Sequence, residues 1–117
     1  MKSLTTCIIA AFITISTAIS THAEPMPAAD VKSFFASGNF SAVAGSKFEF
    51  SPNGTFVIRH SSGSEKGSYT IGADGVVTRI KNGAKKPDIF YIDINAKGKK
   101  TIVYTSGKYK GKKFPLR

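Results

Sequence analysis

Residues 47–71, K-F-E-F-S-P-N-G-T-F-V-I-R-H-S-S-G-S-E-K-G-S-Y-T-I, leave little choice of local structure. Phe48 and Phe50 alternate with polar residues, Ser51-Pro52-Asn53-Gly54 reads as a turn, and Thr55–His60 runs back. After a second break at Ser61-Ser62-Gly63-Ser64, Tyr69 and Ile71 alternate with Ser68 and Thr70. In a strand successive side chains point to opposite faces, so alternation bounded by Asn-Gly and Gly/Ser clusters predicts antiparallel hairpins. Three strands follow from this stretch alone.

The rest of the chain continues the pattern. Ala73-Asp74-Gly75 makes a tight turn into a strand at Val76–Lys81, and Asn82–Pro87 is a polar loop. Asp88–Ile94, D-I-F-Y-I-D-I, is apolar on both faces, which fits a central strand or one covered by a helix. Asn95–Gly98 turns into Lys100–Thr105, and after Ser106-Gly107 the run Tyr109–Leu116 fits a last strand. Ahead of the sheet, Ala28–Ser37 predicts one short helix: Pro27 suits its first turn, Val31, Phe34 and Phe35 share a face, and Gly38 can close it. Turns at intervals of about 8–12 residues favour a meander that curls. The expected fold is mainly β: six to seven antiparallel strands in a small barrel or twisted sheet, with one short N-terminal helix.

Residues 1–23 read as a secretory signal peptide. Lys2 is followed by an apolar run, Leu4–Ile19, with Thr21 and Ala23 as small residues before a cleavage site. That run is short of the about 20 apolar residues a spanning helix needs, so no transmembrane span is expected once it is cleaved. Cleavage would remove Cys7 and His22, leaving residues 24–117 as a single domain with His60 and no thiol. An exported chain without disulfides fits a bacterial periplasmic or secreted protein. A domain of this size buries about 60% of its unfolded surface or slightly more.

The rhythm F-x-F-S-P-N-G-T-F, G-S-Y-T-I, D-G-V-V and G-K-K-T-I-V-Y, over Lys47 to about Tyr104, resembles the small lipocalin-like β-meander domains of bacterial exported proteins. That resemblance implies a barrel able to carry a small apolar ligand, with Phe48, Phe50, Phe56, Tyr69, Phe90 and Tyr104 as cavity walls. The chain has no Trp, whereas the lipocalin pattern calls for Gly-x-Trp near the first strand. A barrel this small is expected to be filled by its own side chains.

Catalytic patterns are absent from the sequence. His60 is expected at a solvent-facing strand end, and adjacent Ser61 would point to the opposite face. Asp88 and Asp93 fall on opposite faces, while Glu49 and Glu65 look isolated among Ser and Lys. No Cys/His cluster suits zinc, no acidic loop suits calcium, and the glycines mark turns rather than a phosphate loop. The expectation is a protein that is not an enzyme and has no metal and no cofactor.

Charge is the strongest functional signal. Residues 24–74 carry four basic residues (Lys32, Lys47, Arg59, Lys66) and five acidic ones (Glu24, Asp30, Glu49, Glu65, Asp74). From Gly75 onward, twelve basic residues face only Asp88 and Asp93. Lys97, Lys99, Lys100, Lys108, Lys110, Lys112, Lys113 and Arg117 interleave with aromatics, and in a strand Lys108, Lys110 and Lys112 would share one face with Tyr109 opposite. Such a basic face suits an acidic envelope glycan, lipopolysaccharide or an acidic protein. Nucleic acid is disfavoured, since Lys predominates over the planar Arg and the chain is expected outside the cell. The competing reading is edge protection, with lysines discouraging edge-to-edge pairing. Two other functions fit less well: the apolar-ligand carrier, and an inhibitor or immunity-type protein plugging an enzyme cleft with Ser61–Lys66 or Asn82–Pro87.

Overall fold

The computed structural model describes residues 24–117, so the expected signal peptide at 1–23 lies outside the described residues. Strand β1 (Glu24–Pro25) leads into helix α1 (Ala28–Ala36), followed by β2 (Phe40–Ser41), β3 (Lys47–Phe50), β4 (Thr55–His60) and β5 (Gly63–Ile71). The chain continues through β6 (Val77–Lys81), β7 (Asp88–Ile94), β8 (Lys100–Ser106) and β9 (Lys113–Pro115). The expected helix and the long strands are present. The strand count exceeds six to seven because β1 and β2 are two residues each, too short to leave an alternation in the sequence.

From β2 to β9 every strand pairs antiparallel with its sequence neighbour. Beyond Phe90, β1 takes the edge of β7 that β6 does not reach, and Met26 N–H continues it by donating to the Ile92 carbonyl at 2.7 Å. The sheet curls until its first and last strands meet. Ala42 bridges Leu116, Val43 N–H donates to the Pro115 carbonyl at 2.8 Å, and Arg117 N–H donates to the Ser41 carbonyl at 3.0 Å. A barrel-like closure satisfies edge groups that would otherwise offer a template for aggregation. Among the described residues no helix is long and apolar enough to cross a membrane.

One strand expectation is corrected. Tyr109–Lys112 is not strand, because residues 107–112 form a coiled turn and β9 begins at Lys113. Lys110 N–H donates to the Gly107 carbonyl at 3.2 Å, and Lys112 N–H to the Tyr109 carbonyl at 2.9 Å. Gly107 initiates this turn with φ +96°, and a Cβ there would run into the Asp88 carboxylate. Gly111 N–H still donates to the Tyr104 carbonyl at 2.9 Å and Tyr104 N–H to the Lys112 carbonyl at 3.0 Å, so the turn ends in an irregular continuation of the β8 ladder.

The interior is aromatic. Phe35 of α1 stacks on Phe50 at 4.3 Å between ring centroids, Phe40 stacks on Phe48 at 5.0 Å, and Phe50 lies 5.8 Å from Phe56 and 6.0 Å from Phe90. These rings fill the barrel, so Phe50, Phe56 and Phe90 are packed against one another rather than lining a ligand cavity. Tyr69 is tied instead to the β3–β4 turn, its hydroxyl donating to the Ser51 carbonyl at 2.6 Å. Up-and-down connectivity places the turns at 51–54, 72–76 and 95–99 at one end with α1. Gly75 lets the lead-in pass close by, since a Cβ on it would strike the Met26 carbonyl oxygen. The opposite end carries the loops at 61–62, 82–87 and 107–112, and among the described residues no helix lies over it. The 42–46 loop runs between the ends, with Val43 near Phe34 and Ser46 toward the open end.

Phe50→Ala should cost about 3–5 kcal/mol by urea denaturation, because the lost ring touches both the helix and the sheet. Val43→Ala, at a side chain 57% exposed, should stay within about 0.5 kcal/mol of wild type. A Phe50→Ala variant as stable as Val43→Ala would show that the helix does not seal this end.

Candidate functional site

The open end holds a cavity of about 400 Å³. One wall is aromatic, from Phe48, Tyr104, Tyr109 and Phe114, and the other is polar, from Ser46, His60, Ser64 and Glu65. Tyr104, Tyr109 and Phe114 brace one another at centroid separations of 5.2–5.9 Å. Lys81 and Lys108 stand at the rim. A neighbouring recess shares Glu65, Lys81 and Lys108 with the cavity and adds Lys86 and Asp88.

Arg79 lies at the floor and is completely buried. Its position follows from β6, where Val77 and Arg79 both point inward and Arg79 is paired in register with Asp88. The guanidinium is 3.3 Å from Glu65 Oε1 and 3.3 Å from Asp88 Oδ2. Its Nε and Nη2 donate to the Tyr104 hydroxyl at 3.2 and 3.1 Å. The Phe56, Tyr104 and Tyr109 rings surround it, with centroids 5.1, 5.5 and 5.9 Å from Cζ. Burying a guanidinium is expensive unless it is paired and hydrogen-bonded, and here every side of the group has a partner. Burial pulls the Arg79 pKa down, but the hydrogen-bonded Tyr104 and the two carboxylates reverse the sign and raise it, so the cation persists.

Glu65 continues the network outward. Its Oε2 accepts from His60 Nε2 at 2.6 Å and from the Tyr109 hydroxyl at 3.2 Å. An ionised carboxylate only accepts, so the His60 nitrogen facing Glu65 carries the proton. The other ring nitrogen, Nδ1, lies 2.8 Å from Ser46 Oγ and accepts from that hydroxyl when the ring is neutral. Burial alone would raise the Glu65 pKa, but the His60 hydrogen bond, the Arg79 charge and the Tyr109 hydrogen bond outweigh it and hold it below its ordinary value. Burial, reinforced by the Glu65 charge, pushes the Tyr109 phenol up to about 12, so it remains a donor. Both Glu65 oxygens are engaged by protein donors, and the Ser46–His60–Glu65 chain forms a rigid polar wall. Among the described residues no three His, Cys, Asp or Glu side chains converge as metal ligands.

Two expectations about these residues are corrected. His60 is half-buried and bonded at both nitrogens rather than turned to solvent. Glu65 is buried, because the β4–β5 turn is only Ser61-Ser62 and pairing of Ile58 with Glu65 turns it inward. Ser61–Lys66 is thus a two-residue turn followed by the start of β5 rather than a loop throughout. Glu49 also has a partner, an ion pair with Arg59.

The basic residues form two clusters instead of one face. Lys97, Lys99, Lys100 and Arg117 border a groove with Phe34 and Leu116 near the helix end, where Lys100 Nζ sits 5.1 Å from the centre of the Phe34 ring. Lys108, Lys110 and Lys112 lie in the turn at the open end, so the same-face argument for a strand does not apply to them. Lys113 projects from β9 and is exposed. Strand β8 separates the clusters by about 20 Å at roughly 3.3 Å per residue. Tyr109, expected opposite the lysines, lies half-buried in the cavity wall with Lys108 Nζ 5.5 Å from its ring centre. Lys81 and Lys86 extend the open-end cluster, and neither stood out in the sequence because they come from a different hairpin.

Comparison with protein-family models, with curated proteins and with solved structures returned no match.

Arg79→Met should destabilise the protein by about 3–5 kcal/mol, since it leaves the buried Glu65 carboxylate and the partly buried Asp88 without their cation. The depressed Glu65 pKa gives a signed pH effect. Its contribution is complete above the ordinary carboxyl value of 4.5 and is lost as pH falls through the lower folded-state value. Glu65→Gln should cost about 1–3 kcal/mol at neutral pH and flatten the stability profile below pH 4.5. Denaturant midpoints measured across pH check both, and a wild-type profile as flat as that of Glu65→Gln would contradict the assignment.

Proposed function

We propose that this chain is an exported, non-enzymatic binding protein that engages an acidic envelope glycan, lipopolysaccharide or acidic protein through the lysines around its open end. One observation carries the reading. Lys81 from the end of β6, Lys86 from the next loop and Lys108 from the last turn converge on one depression. The carboxylates lining it, Glu65 and Asp88, are both paired with Arg79. Among the described residues none of these lysines has a carboxylate partner within salt-bridge distance. Arg79 offsets one of those two carboxylate charges and the three lysines exceed the other, so the rim is a net positive field set around a low-dielectric hollow, an arrangement that concentrates anions.

The carrier of a small apolar ligand is less favoured, because the Phe rings assigned to its walls fill the interior and the remaining hollow is half polar. A lipocalin-like relationship remains consistent with the meander and the closed seam. Edge protection does not account for the open-end lysines, since Lys108 lies in a turn, Lys86 lies in a loop and Lys81 ends β6, a strand paired on both sides.

Binding of the purified protein to lipopolysaccharide, an acidic polysaccharide and an acidic protein, at low and high salt, tests the reading. Changing Lys81, Lys86 and Lys108 together to Gln should weaken the preferred partner by roughly tenfold or more. Changing Lys97, Lys99 and Lys100 to Gln removes the same charge at the other end and should have a much smaller effect. Equal losses in the two triple variants would reduce the binding to net charge and overturn the assignment of the open end.

A further inference from the structure

We propose that the open-end cavity is a subsite for one sugar-acid residue, a pyranose-sized polyol bearing a single carboxylate. This rests on the reading of the open end as an anion-binding surface, and it selects the acidic glycan from the partner classes that surface would accept. About 400 Å³ falls in the lower part of the range for small-molecule sites, which suits one ring and not a chain segment.

The two walls then specify the chemistry. A pyranose presents a C–H face and an equatorial belt of hydroxyls. The rings of Tyr109 and Phe114 stand nearly perpendicular, at 87°, and offer an apolar corner in which one ring face can take the first. Ser46, Ser64 and the Tyr109 hydroxyl offer donors and acceptors for the second, and the Ser46–His60–Glu65 hydrogen bonds fix part of that wall in advance. Pre-organised polar groups strengthen binding by reducing the ordering needed on association. Lys81 and Lys108 at the rim supply the countercharge for a carboxylate pointing outward.

Other ligand classes leave part of this cavity unused. An acyl chain would press against the serine hydroxyls and His60, stripping them of water without replacing their hydrogen bonds. It would also find no room deeper in, where Phe50, Phe56 and Phe90 are packed together. A bare inorganic anion would satisfy the lysines and leave the aromatic wall in contact with water. A neutral sugar would leave the two lysines without a counter-ion.

Titration of the full protein with glucuronate, glucose and acetate, followed by amide chemical shifts, tests the proposal. Glucuronate should give saturable shifts at Ser62–Glu65, Lys81 and Lys108–Tyr109, with an affinity roughly tenfold or more above glucose and above acetate. Lys81→Gln with Lys108→Gln, at two exposed side chains, should reduce glucuronate to the level of glucose without disturbing the rest of the spectrum. Ser46→Ala should weaken glucuronate and glucose together while leaving acetate unchanged. Equal affinity for glucuronate and acetate would overturn the sugar site. So would binding of an acidic polysaccharide through the open-end lysines with no saturable glucuronate shift, although the anion-binding reading would then stand. Failure of the polysaccharide and of glucuronate alike would remove both.

Discussion

The buried guanidinium of Arg79 is the constraint on which the open end of the barrel depends. It joins Glu65 on β5, Asp88 on β7 and Tyr104 on β8 to its own strand β6, so four successive strands converge on one cation. Such an arrangement is a poor source of net stability, because desolvating the charges offsets most of their attraction. Its consequence is geometric. Asp88 also accepts the Lys108 N–H at 2.8 Å, which ties the β8–β9 turn to the same cluster and places Tyr109 over the cavity. A hydrophobic plug at this position would close the barrel equally well but would leave no polar wall.

The two ends of the barrel use opposite physics. At the helix end, Val31 and Phe35 add to an aromatic stack that excludes water, and the driving force is apolar burial. At the open end, side chains are held by directional bonds among ionised groups. Arg79 offsets one of the two carboxylate charges of the open end, and Lys81, Lys86 and Lys108 outnumber the one that remains, so the rim keeps a net positive field. Lowering the Glu65 pKa and raising that of Tyr109 keeps one an acceptor and the other a donor across the ordinary pH range. The proposed function and the proposed sugar-acid subsite both follow from that division of charge.

Much of the fold was legible because alternation is a local signal. Phe48, Phe50 and Phe56 announced an inward face, and Asp88–Ile94 announced a strand with the bounds it has in the structure. The site was less legible because it is assembled across hairpins. Arg79 went unremarked in the sequence, although its spacing of two from Val77 is the signal that could have placed an arginine, and hence its carboxylate partners, on the inward face. Nothing local identified Glu65 as its partner. Gly63-Ser64 looks like loop, and only the two-residue turn at Ser61-Ser62 sets the register that turns Glu65 inward. The lysines misled in a related way. Their sequence clustering after Asp93 suggested one face, whereas the hairpin carries them to both ends and brings Lys81 and Lys86 from elsewhere.

The most direct measurement is a crystal structure of the protein with an acidic oligosaccharide. The account predicts one sugar ring against Tyr109 and Phe114, with its carboxylate beside Lys81 and Lys108 and the Arg79 cluster unchanged beneath it. An oligosaccharide lying along Lys97, Lys99, Lys100 and Arg117, with the open end vacant, would contradict it.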